Sequence, residues 1–219
     1  MRILIFGGGS DMAKAVAKKH KDTILVSHNY CDVMFENIIS HTLELYEPDI
    51  VINCAGISFV GTIKDQDSFT WEKQIIINLL GSYHVAKACV DNGVKKLILI
   101  GSVAGKYGKA EHSAYSVSKC GVISLVQSLG MEGYEAYCIS PGRVDTKMRE
   151  RNYPGEDKRT RLTTKNIADV VFDIINGRYQ PGDNIIVRKR GFRRLRRIDR
   201  GQPWKKYLNV QPLGTPKTI

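Results

Sequence analysis

Tyr115 and Lys119 stand four residues apart, and Ser102 stands thirteen residues before the tyrosine, at the end of an apolar run. These side-chain types can move a proton. A free phenol has a pKa of about 10 and exchanges protons poorly at neutral pH. A neighbouring ammonium favours the phenolate and lowers that value, which makes the phenol a usable general acid and base. On a helix, residues i and i+4 share one face, so the spacing predicts that Tyr115 and Lys119 meet. The Ser102 hydroxyl would then hold a substrate oxygen beside the phenol. Taken singly, the Tyr and Lys also read as a packing pair and the serine as a helix cap.

A second constellation suits a phosphate-bearing ligand. Phe6-Gly7-Gly8-Gly9-Ser10-Asp11-Met12-Ala13 follows an apolar run and opens a helical pattern. Backbone N–H groups and the helix dipole at such a point receive a pyrophosphate, and glycines let it approach, so Gly7, Gly9, Ser10, Asp11 and Met12 are candidate contacts. Asn53-Cys54-Ala55-Gly56 forms another small-residue turn after a later run, leaving room for an adenosine ribose beside Asn53, Ala55 and Gly56. Either turn alone also reads as a plain strand-to-helix connection. At the end of the second run, where a carboxylate would hold a ribose 2′-hydroxyl, the chain reads Ser27-His28-Asn29. Hydrogen-bond donors without a repelling carboxylate favour NADP(H) over NAD(H). Asp32 lies farther on and is placed at the adenine amino group.

The elements that position these residues follow from periodicity. Short β-rich runs at 2–6, 23–27, 50–53, 96–101, 136–140 and 184–188 alternate with helical patterns at 12–20, 35–46, 69–92, 115–129 and 165–176. That alternation predicts an α/β fold: a doubly wound, Rossmann-type parallel sheet in three α/β/α layers, whose ligands bind at the carboxyl ends of the strands. A single domain is expected over 1–190, followed by a basic C-terminal extension over 191–219.

Charge and cysteines narrow the class. Ten of the lysines and arginines fall between Arg188 and Lys206, against Asp199 alone, so most of the net +11 belongs to one segment. Phe192, Leu195 and Ile198 lie three apart within it, and it is read as a strip that docks on the body or on a second subunit with its basic face in solvent. Binding of RNA or DNA phosphates is the less favoured reading. Five scattered cysteines show no disulfide or metal-ligand spacing, and the five histidines show no ligand spacing, so no metal site is expected. A reducing cytoplasm is the expected location, with no signal segment and no membrane span.

Over about residues 2–190 the sequence resembles the short-chain dehydrogenase/reductase family. The resemblance rests on the Gly7 turn, Asn53-Cys54-Ala55-Gly56, Asn78 with Gly81, Ser102, Tyr115-x-x-x-Lys119, and Pro141-Gly142-Arg143-Val144-Asp145-Thr146. It implies hydride transfer between NAD(P)(H) and a small carbonyl or alcohol, with Tyr115 as the proton donor or acceptor and Ser102 orienting the carbonyl. Lys119 would lower the Tyr115 pKa and bind the nicotinamide ribose, and Asn78 would help hold a water in a proton relay. Pro141, Gly142, Val144 and Thr146 would line the nicotinamide. A homodimer or homotetramer is expected. The rival function is a non-catalytic nicotinamide-binding regulator, or a nucleic-acid-binding protein that works through the basic tail.

The chain departs from the family pattern in three places. Asp11 and Ala13 replace glycines of the cofactor turn, and a carboxylate there repels a pyrophosphate unless it caps a helix or points away. The region after residue 27 is too short for the helix and strand that many relatives insert. Residues 147–163 are polar and charged where relatives carry an apolar lid, which disfavours a greasy substrate, and Arg143, Lys147, Arg149 and Arg151 hint at an anionic one.

Overall fold

The computed structural model describes residues 1–189, so the extension 191–219 and most of the basic segment lie outside the described residues. The six apolar runs form strands β1 (Ile3–Phe6), β2 (Thr23–Val26), β3 (Ile50–Asn53), β4 (Lys96–Ile100), β5 (Ala136–Pro141) and β6 (Asn184–Val187), each close to its expected place. They pair in parallel in the order β2-β1-β3-β4-β5-β6.

Alternate side chains along each strand face opposite layers. Ile3, Ile5, Ile50, Ile52, Ile98 and Ile139 pack against α1 (Asp11–Lys19) and α8 (Thr164–Ile175) through Val16, Ile167, Val171 and Ile174. Leu4, Phe6, Val51, Leu97 and Leu99 point the other way, to α2 (Glu36–Tyr46), α4 (Gly81–Asp91) and α6 (Ser113–Met131). Each such side chain contributes about 1.5–3 kcal/mol on burial, so both faces of the sheet anchor it. Local signals fix the ends. Thr163 and Asn166 form a capping box at the start of α8, and the helix stops before Gly177, whose φ is +72°.

Where one helix was expected over 69–92 there are three pieces. α3 (Ser68–Ile75) gives way to a π turn over Ile76–Leu80 before α4 begins. The widened turn admits an extra residue, and it contains Asn78. Two short helices, α5 (Val103–Lys106) and α7 (Lys147–Asn152), were not foreseen, because one to two turns leave little periodicity to detect.

β1 leads outward to β2, and the chain then returns to β3 on the other side of β1. This reversal opens a crevice at the carboxyl ends of β1 and β3. Gly7 lies in that crevice with a φ of +71°, and a Cβ there would come within 2.4 Å of the Ala55 amide nitrogen. Only glycine lets the two turns approach so closely.

Candidate active site

Ser102 lies just beyond β4 and caps α5, its Oγ accepting from the Ala104 amide at 3.1 Å. A Cβ at Gly105 would lie 2.5 Å from the Lys119 carbonyl carbon, so a bare backbone at that point lets α5 lie against α6. Ser102 and Tyr115 both line the cavity there. Burial pushes the phenol pKa up, against the Ser102 hydroxyl and the positive charge of Arg149, which pull it down.

Lys119 differs from the expectation. Its buried Nζ donates to the Ile100 carbonyl at 2.7 Å and lies 5.9 Å from the centre of the Tyr115 ring. Burial lowers its own pKa to about 8. Burial therefore leaves the phenol raised rather than lowered, and the positive charge that opposes this is Arg149, not Lys119.

Asn78 is fully buried, not a solvent-facing residue of a helix. Its Oδ1 accepts from the Ile57 amide at 2.8 Å, and its Nδ2 donates to the Ile57 carbonyl at 2.9 Å and to Ser118 Oγ at 3.2 Å. One side chain thus pins the turn after β3 to α6. A Cβ at Gly56 would lie 3.1 Å from Asn78 Oδ1 and 3.6 Å from Lys119 Nζ, so this turn runs directly over both. Asn53 Oδ1 accepts from the Ala55 amide at 3.0 Å, and its Nδ2 donates to Ser82 Oγ at 3.3 Å.

At the head of α1, Ser10 Oγ accepts from the Ala13 amide at 3.1 Å, leaving the Asp11 and Met12 amides without an intrahelical acceptor. Space is open for 4 Å around the position of a Cβ on Gly9. These features fit the pyrophosphate of a dinucleotide. The Asp11 carboxylate does cap a helix: Oδ2 accepts from the Lys147 amide at 2.7 Å, across 136 residues, at the start of α7. Ser27 is half-buried and His28 exposed at the end of β2, while Asp32 Oδ1 accepts from the Met34 amide at 3.0 Å.

Residues 145–162 form the other wall, and its organiser is a residue the sequence did not single out. Arg161 is buried, with Nη1 donating to Asp145 at 2.9 Å and to Glu150 at 2.7 Å, and Nε to Glu156 at 3.2 Å. Glu156 also pairs with Arg149, and Arg143 lies 3.5 Å from it. The Arg149 hydrogen bond holds the Glu156 carboxyl at about 2. Two of the four cations expected to face an anionic substrate are thus already paired.

The two walls enclose a cavity of about 540 Å³. Met12, Ser102, Tyr115, Pro141, Gly142, Val144 and Thr146 line it, as expected of their positions after the strands. His112, Tyr153 and Lys109 line it as well. Among the described residues no group of three or more His, Cys, Asp or Glu is placed to hold a metal, and no helix is long and apolar enough to cross a membrane.

Comparison with known proteins gives one family. The family model described as short chain dehydrogenase matches residues 2–157. An uncharacterized oxidoreductase of Staphylococcus epidermidis is 34% identical over 148 residues, covering 64% of this chain and 62% of its own length. The human (3R)-3-hydroxyacyl-CoA dehydrogenase is 34% identical over 113 residues, covering 48% of this chain and 43% of that protein. The match thus spans less than two thirds of these relatives. A solved 3-oxoacyl-[acyl-carrier protein] reductase from Brucella melitensis shares the fold, with a TM-score of 0.72 at 19% identity over 85% of this chain and 89% of the other.

Proposed function

This chain belongs to the short chain dehydrogenase family, and from that premise we propose that it interconverts a carbonyl and an alcohol on a small molecule, with Tyr115 transferring the proton. The observation that carries this reading is the meeting of Ser102 and Tyr115 on one cavity wall, with Lys119 one turn behind.

A nicotinamide dinucleotide supplies the hydride when bound. Gly7, Gly9, Ser10 and Met12 would hold its pyrophosphate; Asn53, Ala55 and Gly56 its adenosine ribose; and Pro141, Gly142, Val144 and Thr146 its nicotinamide. Ser27 and His28, with no carboxylate beside them at the end of β2, support NADP(H) over NAD(H). Asp11 belongs to this turn as the residue that fastens it to α7. Asp32 stands at the adenine end.

In the reducing direction Tyr115 gives its proton to the carbonyl oxygen while the Ser102 hydroxyl fixes that oxygen in place. In the oxidising direction the Tyr115 phenolate takes the proton from the alcohol hydroxyl. Lys119 would hold the nicotinamide ribose, and its low proton affinity suits it to return a proton to Tyr115. Asn78 keeps the Gly56 turn seated over Lys119 through its hydrogen bonds to Ile57. A cytoplasmic homodimer or homotetramer completes the proposal.

The test is direct binding of NADPH and NADH followed by turnover of a carbonyl panel. Tyr115→Phe should lower turnover by about 10²–10⁴-fold while cofactor binding persists. Undiminished turnover would refute the role given to the phenol.

A further inference from the structure

Next to Tyr115 the cavity carries a second polar cluster that the proton chemistry does not use. The rings of His112 and Tyr115 meet edge-on at 6.4 Å, and Tyr153 lies parallel to His112 at 5.8 Å. His112 Nδ1 faces the Ala110 carbonyl oxygen at 3.0 Å. A carbonyl only accepts, so Nδ1 carries the ring proton and Nε2 of the neutral imidazole is an acceptor. The Tyr153 hydroxyl, 2.6 Å from Nε2, donates to it and turns its lone pairs to the Lys109 ammonium, which donates to Tyr153.

Lys109 is thereby oriented without being neutralised. Its Nζ sits 4.4 Å from the centre of the Tyr153 ring, and among the described residues no carboxylate pairs with it. An ammonium has three donors, and the Tyr153 oxygen takes one. The cavity lining includes Lys109, Arg143, Arg149, Arg188 and Lys189 and no Asp or Glu. Glu156 lies against Arg143 and Arg149 and Lys189 donates to the Arg159 carbonyl, whereas Lys109 is held by the Tyr153 hydroxyl, stacked through His112 beside Tyr115.

We propose that the cavity accepts a carbonyl compound carrying a second, anionic group, and that Lys109, oriented by Tyr153 and His112, binds that anion. This rests on the oxidoreductase reading for the carbonyl but not for the anion. It also relocates the anionic contact: the charges at Arg143 and Arg149 hold the wall together, whereas the charge at Lys109 is free to recognise a ligand.

The experiment pairs charged and neutral carbonyl compounds. Oxo-carboxylates of graded chain length are compared with their methyl esters, and dihydroxyacetone phosphate with dihydroxyacetone, which separates a carboxylate from a phosphate ligand. For at least one pair the charged member should be favoured about tenfold or more in kcat/KM, chiefly through KM. Lys109→Met should abolish that ratio, and Tyr153→Phe, which removes the hydroxyl that orients the ammonium, should reduce it in part. Equal efficiency within every pair, or a preference that survives Lys109→Met, overturns the proposal.

Binding of hexanoate and of glycerol phosphate, followed by ligand NMR, reads the subsite without turnover. Binding that is lost in Lys109→Met supports the subsite even if no carbonyl is reduced, whereas failure of both anions to bind overturns it. Failure of every carbonyl with intact anion binding counts against the oxidoreductase reading alone.

Discussion

The two walls of the cavity are stabilised by different physics. Ser102, Tyr115, Lys119 and Asn78 form a wall of buried polar groups held mainly by backbone and hydroxyl partners. Residues 145–162 form a wall of full charges gathered around Arg161 and Glu156. On the first wall desolvation dominates, raising the Tyr115 phenol and lowering Lys119 to about 8. On the second, ion pairing dominates and takes Glu156 down to about 2. The shift of Lys119 toward neutral pH suits it to proton transfer, whereas burial moves the Tyr115 phenol away from neutral pH and only Ser102 and Arg149 oppose that shift. A wall that only has to close can use charges that salt and acid will loosen.

The largest effect should come from the residue that fastens the first wall. Asn78→Ala removes three hydrogen bonds and leaves the Ile57 amide and carbonyl and the Ser118 hydroxyl short of partners in or near the interior. A cost of about 4 kcal/mol is expected, read from urea unfolding, along with a fall in turnover as the Gly56 turn lifts from Lys119. A cost below about 1 kcal/mol would mean that backbone packing, not this side chain, seats the turn.

Lys119→Met sharpens the comparison through pH. The folded pKa of about 8 lies below the ordinary 10.5, so between these values the unfolded chain binds more protons than the folded one. Stability owed to this residue therefore rises as pH climbs from 8 to 10.5, and the gap corresponds to roughly 3 kcal/mol. The stability difference, wild type minus Lys119→Met, should shift toward wild type by about that amount across the window. The raised Tyr115 phenol acts in the opposite sense above its own ordinary value, but it is present in both chains and cancels in the difference. A difference that stays flat from pH 7.5 to 10.5 would show that Lys119 titrates normally.

The first wall was largely legible in the sequence because its signals are local. Tyr115 and Lys119 announce themselves by helical spacing, and Ser102 by its place just beyond β4. The π turn around Asn78 was not legible, because one extra residue in a turn hardly disturbs the apolar periodicity of 69–92. The role of Gly105 was hidden for a different reason: it depends on α5 meeting α6, a contact no local pattern encodes. On the second wall almost nothing was legible. Arg161 reads as one of many cations in 147–163, yet it is buried, since Asp145, Glu150 and Glu156 converge on it only once the segment folds back. Arg143 and Arg149 misled for the same reason, as their partner Glu156 is visible only in three dimensions.

The smallest effect on global stability should come from the charged wall, because its segment can open locally while the sheet stays folded. The Glu156 carboxyl is held at about 2, below the 4.5 of an unperturbed glutamate. Its contribution is therefore complete above about pH 4.5 and is lost as pH falls toward 2. Hydrogen exchange corrected for intrinsic rates should show amides of 145–162 losing protection over that range, before those of α6. Added salt should move the loss to higher pH by screening the pairs. Glu156→Gln keeps the shape but removes the charge, so the segment should open more readily at neutral pH and lose most of its acid sensitivity. If the two walls instead lose protection together at every pH, the ion pairs around Arg161 are part of the global folding unit and the division drawn between the walls fails.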